Sequence, residues 1–227
     1  MAFAFDCDGT IYDSKHAIFS ITNLAMAKFG YEAKNFEELM KHYQSKDWRK
    51  YYHDLGVKDD HIDAVITEYV QKFETAPKSN LIEGARELLR SASLSKRPEL
   101  FFIVTNALRP VIEMRFRRDS LDEFIPNIKS AFQGKYLLLS EIMQSLPNNE
   151  PMYFLSDTIC DGEDCLKLKK LGFNIHFWAI AHSYSFNTAH DLKAFVDAHK
   201  EFCKIFNDLY EVTKELAQRI TLRNRKI

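Results

Sequence analysis

Residues 3–14 read FAFDCDGTIYDS, an apolar run that stops at Asp6 and Asp8, with Gly9 and Thr10 behind them. Two carboxylates this close repel one another unless positive charge lies beside them. Two later apolar runs also end in polar groups: ELFFIVTN in Thr105 and Asn106, PMYFLSD in Ser156 and Asp157. Asp161 follows Asp157 at the start of a helical stretch, and Lys135 opens another directly after Gly134. If these run ends share one sheet edge, Asp6, Asp8, Asp157 and Asp161 crowd a single pocket. A hard divalent cation with oxygen ligands resolves that repulsion, and Mg²⁺ suits a site that also takes a phosphate. The chemistry on offer is phosphoryl transfer. One carboxylate can attack phosphorus to form an aspartyl-phosphate, dividing hydrolysis into two easier steps. The second, two residues on, can protonate the leaving oxygen and later take a proton from water. Lysine, threonine hydroxyl and backbone N–H groups can stabilise the transferring phosphoryl oxygens.

Such residues need rigid elements to hold them. Ala2 to Phe5 forms a short buried strand, and Ser14 is placed to cap a helix through KHAIFSITNLAMAKFG, stopped by Gly30. NFEELMKHYQ, DWRKYYHDLG and DDHIDAVITEYVQKFETAP continue the helical pattern, with Pro77 closing the series. The pattern then alternates. EGARELLRSA, RPVIEMRFRRD, KYLLLSEIMQSL and DCLKLKKLG read as helices. Between them fall the short apolar runs ELFFIVTN, PMYFLSD and FNIHFWAIA, with an extended piece near Ile128. Alternation of this kind implies βαβ units and a parallel sheet covered by helices on both faces. Residues 1–14 and 81–190 then form an α/β core, interrupted by an all-helical insertion over 15–80. The insertion would cover the C-terminal edge of the sheet, where open α/β folds bind ligands.

Residues 191–227 read as a helical extension in which Phe195, Phe202, Leu209 and Leu216 recur every seventh position, with Ala198, Ile205 and Val212 between. Two arrangements fit. Its helices pack on the chain's own core, leaving a monomer, or the C-terminal helix forms a homodimer.

At 227 residues, with 46% hydrophobic content, the chain can bury a sizeable core. A formal net charge of −1 gives no ground for a nucleic-acid or membrane partner. No apolar stretch approaches the roughly 20 residues of a membrane span. Cys7, Cys160, Cys165 and Cys203 show no metal-ligand spacing, so reduced thiols and a cytoplasmic location are expected.

DCDGT, VTN, the lysine of GKYLLL and SDTICD resemble, in order, the four motifs of the haloacid dehalogenase-like hydrolase superfamily. The resemblance runs from the first residues to about residue 180. It implies a Rossmann-like core, a helical cap inserted after the first motif, and Mg²⁺-dependent phosphatase activity of the phosphoglycolate phosphatase type. By position, Asp6 would be the nucleophile and Asp8 the general acid/base. Thr105 and Lys135, with Asn106 beside them, would hold the phosphate. Asp157, with Asp161 nearby and the backbone carbonyl of Asp8, would hold the metal. Ser156 stands where the fourth motif usually has glycine, and Tyr136 follows the lysine where proline is common. A small phosphorylated metabolite is the expected substrate, and phosphoglycolate, sugar phosphates and nucleotides are all compatible. Arg49, Tyr51, Tyr52 and His53 mark a cap stripe that could face a substrate, although an aromatic-basic helix stripe is more often core plus solvated face. A phosphomutase of the same superfamily and a non-catalytic module using the C-terminal helix remain open alternatives.

Overall fold

Strand β1 (Ala2–Phe5) is the run AFAF, buried along its whole length. The computed structural model describes residues 1–43, 48–73, 79–93, 100–130 and 134–224, so Pro77 and the chain's last residues fall outside the description. β1 lies inside a six-stranded sheet with β4 (Phe101–Thr105) and β5 (Ile128–Ser130) to one side. On the other side follow β6 (Met152–Ser156), β7 (Ile175–Ile180) and β8 (Cys203–Phe206), every pairing parallel. Because successive side chains point to opposite faces, Phe3 and Phe5 enter one core and Ala2 and Ala4 the other.

Helices cover both faces, as the alternating pattern predicts. α5 (Ala85–Ser93), α6 (Arg109–Arg118) and α10 (Leu209–Asn224) pack on the Phe3/Phe5 side. α7 (Tyr136–Ser145), α8 (Ile159–Lys170) and α9 (Ala189–Ala198) pack on the Ala2/Ala4 side. Pro110 sits in the first turn of α6, where its missing N–H is harmless.

The insertion is helical among its described residues: α1 (Lys15–Ala27), α2 (Phe36–Tyr43), α3 (Trp48–Asp54) and α4 (Asp59–Lys72). It has an apolar cluster of its own, with Ile18, Ile21, Leu39, Tyr52 and Val65 at its centre. At the junction, β2 (Tyr12–Asp13) and β3 (Asn80–Leu81) pair antiparallel and tie the outgoing and returning chain together. Ser14 precedes α1 but makes no side-chain cap bond, because its hydroxyl is buried with no hydrogen-bond partner.

Beyond residue 190 the structure corrects the sequence reading. Residues 191–227 are not a helical extension, since β8 runs through them and extends the core sheet beyond β7. The seven-residue spacing is fortuitous. Phe195 lies on α9, Phe202 just before β8, and Leu209 and Leu216 on α10. Each is fixed by its own element, so no continuous helical seam exists. Leu209, Val212 and Leu216 are fully buried against the sheet and α5, so they are spent inside the chain rather than offered to a partner. Leu216→Ala is therefore expected to destabilise the fold by about 2–5 kcal/mol without altering the oligomeric state. Urea unfolding together with light scattering would check both halves of that statement.

Candidate active site

Register brings the polar strand ends to one height. Phe5 pairs with Ile103 on one side and Leu155 on the other. Asp6 and Ser156 therefore leave the sheet together, and Thr105 emerges next to them. Lys135, at the start of α7, and Asp161, in the first turn of α8, complete the floor. All of these side chains are buried.

Lys135 is the hub. Its Nζ lies 2.5 Å from Asp6 Oδ1 and 2.7 Å from Asp161 Oδ2. Ser156 Oγ donates to Asp161 Oδ2 at 2.5 Å and stands 3.5 Å from Asp6 Oδ2. Thr10 Oγ1 lies between the other two carboxylates, 3.4 Å from Asp6 and 3.3 Å from Asp157. The backbone N–H of Phe186 donates to Asp157 Oδ2 at 2.5 Å. Asp161 does not cap its helix with its side chain. Thr158 is the N-cap, accepting from the Asp161 N–H at 3.4 Å, which frees the Asp161 carboxylate for Lys135.

Asp8 lines the same cleft but is held from α6. Its Oδ1 takes a 2.6 Å ion pair from Arg115 of α6, a guanidinium only 4% exposed and flanked by the rings of Tyr12 and Phe73. Thr105 Oγ1 accepts from the Ala107 N–H, and Asn106 Oδ1 is buried with no hydrogen-bond partner. Both residues line the cleft over Asp6.

The electrostatics follow from burial. Burial lifts the Asp6 carboxyl to about 6; Lys135 opposes the rise and Asp161 adds to it. Asp157 is pushed well above the usual carboxylate range, first by burial and then by Asp6, with the Phe186 N–H pulling it back. Burial alone would discharge Lys135, but Asp161 and Asp6 outweigh it and raise its pKa. Three carboxylates thus confront one ammonium, and the floor is short of positive charge.

A cation would fit that deficit. The groups facing it are all oxygens, the donor type that Mg²⁺ takes. The expected cluster of four carboxylates does not form as a cage, however. Among the described residues no group of three or more His, Cys, Asp or Glu side chains could hold a metal ion unaided. Asp161 is committed to Lys135 and Ser156, and Asp8 to Arg115. Asp6 shares Lys135 through Oδ1, and with Asp157 it would give the one or two carboxylates by which Mg²⁺ is usually held alongside a phosphate.

Several contributors were missed in the sequence. Arg115 carried a signal, since it falls with Val111, Ile112 and Phe116 on the buried face of α6. An arginine on an apolar helix face needs a buried anion. Ser156 reads in the sequence as a polar strand end and a departure from glycine; the structure adds that its hydroxyl reaches two carboxylates. Tyr43, Trp48 and Phe186 also line the cleft, and nothing in their spacing marked them. In the cap stripe, Tyr51 lines the cleft and Tyr52 is buried in the cap cluster. Arg49 is exposed and pairs with Asp63, and His53 is exposed as well.

With this geometry in place, the relatives can be weighed. A profile of the haloacid dehalogenase-like hydrolases matches residues 3–137. The chain belongs to the haloacid dehalogenase-like hydrolase family. No significant relative was found among curated proteins. Among solved structures, a predicted phosphatase from Clostridium acetobutylicum is 19% identical with a TM-score of 0.70, covering 95% of this chain and 97% of that one. A haloacid dehalogenase-like family protein from Streptococcus pneumoniae is 18% identical with a TM-score of 0.71, covering 94% and 97%. A family hydrolase from Deinococcus radiodurans with bound phosphate and sodium is 19% identical with a TM-score of 0.63, covering 96% and 95%. Similarity at this level establishes a common fold.

Gly9 makes the close packing of the floor achievable. Its φ is +75°, and a Cβ there would lie 2.3 Å from Asp157 Oδ2 and 2.6 Å from the Phe186 ring. Gly9→Ala should lose at least about 1–2 kcal/mol from backbone handedness alone and displace Asp157. A wild-type melting temperature in that variant would contradict the tight cradle. Removing Arg115 should also be costly, because it strands Asp8 beside buried aromatic rings. Arg115→Met is expected to lose about 3–5 kcal/mol and Arg115→Lys less, as read from urea midpoints.

Proposed function

We propose that the chain is a phosphatase that hydrolyses a small phosphorylated metabolite through an aspartyl-phosphate on Asp6. The observation that carries this reading is the Asp6–Lys135 contact at the mouth of a parallel sheet. A nucleophilic carboxylate must be ionised, and burial works against that. Burial raises the Asp6 pKa, and Lys135 opposes that rise and so favours the ionised form.

The residues divide the work as follows. Asp6 attacks phosphorus, and the bond to the alcohol oxygen breaks. Asp8 gives that oxygen a proton, then takes one from the water that cleaves the aspartyl-phosphate. Lys135, with Thr105 and Asn106 at the neighbouring strand end, holds the phosphoryl oxygens. Arg115 orients Asp8 from behind.

Asp6, Asp157 and the backbone carbonyl of Asp8 would hold Mg²⁺, which would neutralise charge on the phosphoryl group and on the floor. A structural neighbour with bound phosphate and sodium is in keeping with an anion and a cation at such a site. We further read residues 15–80 as a cap whose closure keeps bulk water from the reacting centre.

Asp6→Asn should abolish turnover of a generic phosphate ester while the circular dichroism spectrum stays native. Asp8→Asn should slow both halves of the reaction, by roughly 10²–10⁴-fold in kcat. Full activity in Asp6→Asn would remove the mechanism. Excess chelator should stop hydrolysis and added Mg²⁺ should restore it, whereas unchanged rates in chelator would exclude the metal.

A further inference from the structure

The space above Asp6 does not end at the phosphate site. A cleft open at its mouth covers the carboxylates. It adjoins a side chamber, and the two share Asp8, Tyr43, Trp48 and Asn106 on their walls. Beyond that neck the chamber is apolar, with Ile18, Val70, Phe73, Leu108 and Val111 among its lining residues. The cleft itself is walled by Tyr43, Trp48 and Tyr51 from the cap and by Phe186 from the core.

Charge is distributed unevenly in this space. Among the described lining residues Lys135 is the one cation, and it is already paired with Asp6 and Asp161. Arg115 lines neither space; its Nη1 is held by Asp8, while its Nη2 is buried without a hydrogen-bond partner. A second anionic group on the substrate would lie near Asp8 with no cation on the chamber wall to meet it, so its desolvation would be poorly compensated. A polyol would likewise give up hydrogen bonds to water in the apolar chamber. A flat ring loses little there and gains contact with the aromatic walls.

We propose that the alcohol half of the substrate is a bulky, uncharged aromatic group, so that this site takes aromatic phosphomonoesters in preference to phosphorylated carboxylates such as phosphoglycolate. The proposal rests on the phosphatase reading for the placement of the phosphate and adds the identity of what the phosphate is attached to. It also moves specificity away from Arg49 and His53 to Tyr43, Trp48 and the residues around Leu108.

Non-hydrolysable phosphonates separate binding from turnover. Calorimetric titration of the full chain, with Mg²⁺ present, would compare 1-naphthylmethylphosphonate, methylphosphonate and phosphonoacetate. The naphthyl compound should bind roughly 10–100-fold more tightly than methylphosphonate, and phosphonoacetate no more tightly than methylphosphonate. Leu108, half-buried on the chamber wall, offers a variant that spares the floor. Leu108→Gln, which adds no charge, should reduce the aromatic preference by lowering naphthyl affinity more than methylphosphonate affinity. In parallel, kcat/KM would be measured for 1-naphthylmethyl phosphate, phosphoglycolate and acetyl phosphate. Equal affinities, or tightest binding of phosphonoacetate, would overturn the inference even if acetyl phosphate is hydrolysed. Aromatic preference in binding with no ester hydrolysed would instead sustain the pocket and overturn the phosphatase reading.

Discussion

Three carboxylates sharing one buried ammonium is the condition on which the rest of this structure depends. Asp6, Asp157 and Asp161 gather where the central strands end, and Lys135 reaches only two of them. Asp157 relies instead on the Phe186 N–H and the Thr10 hydroxyl. Hydrogen bonds to neutral donors ease a buried carboxylate but do not cancel its charge. The floor therefore carries more buried acidic groups than its one ammonium can pair. It is held in that state by a sheet whose apolar residues permit no retreat toward water.

Much of this was legible in the chain, and the reasons differ from element to element. Strands β1, β4, β6 and β7 are short apolar runs between polar residues, and burial on both faces leaves a sequence little freedom to read otherwise. Asp6, Asp157 and Lys135 each sit at the end of an element, so locating the element located the residue. β8 was hidden because CKIF is brief, lies at the sheet edge and keeps only Phe206 fully buried. Its neighbours on α9 and α10 happened to lie seven residues apart, and periodicity cannot distinguish a seam from such a coincidence.

What stayed hidden in the site depends on contacts distant in sequence. Arg115 meets Asp8 across 107 positions, and Ser156 meets Asp6 across 150. No local pattern encodes such a meeting. Phe186 is the clearest case. It follows β7 in the core, yet its ring packs within the cap cluster and stacks on Tyr43 with centroids 4.4 Å apart. One loop residue thus touches the Asp157 carboxylate through its backbone and the inserted helices through its side chain, joining the carboxylate floor to the position of the insertion.

The ribbon of β2 and β3 has a mechanical meaning. Two separate single-chain tethers would let an inserted module twist, slide and tilt independently. Here the two crossings are zipped together through Tyr12 with Leu81 and Asp13 with Asn80. A paired ribbon resists shear between its strands while bending across its width, so most of the module's degrees of freedom are removed at the root. Any movement of the four described helices would therefore be constrained at one shared root, carrying Tyr43, Trp48 and Tyr51 together.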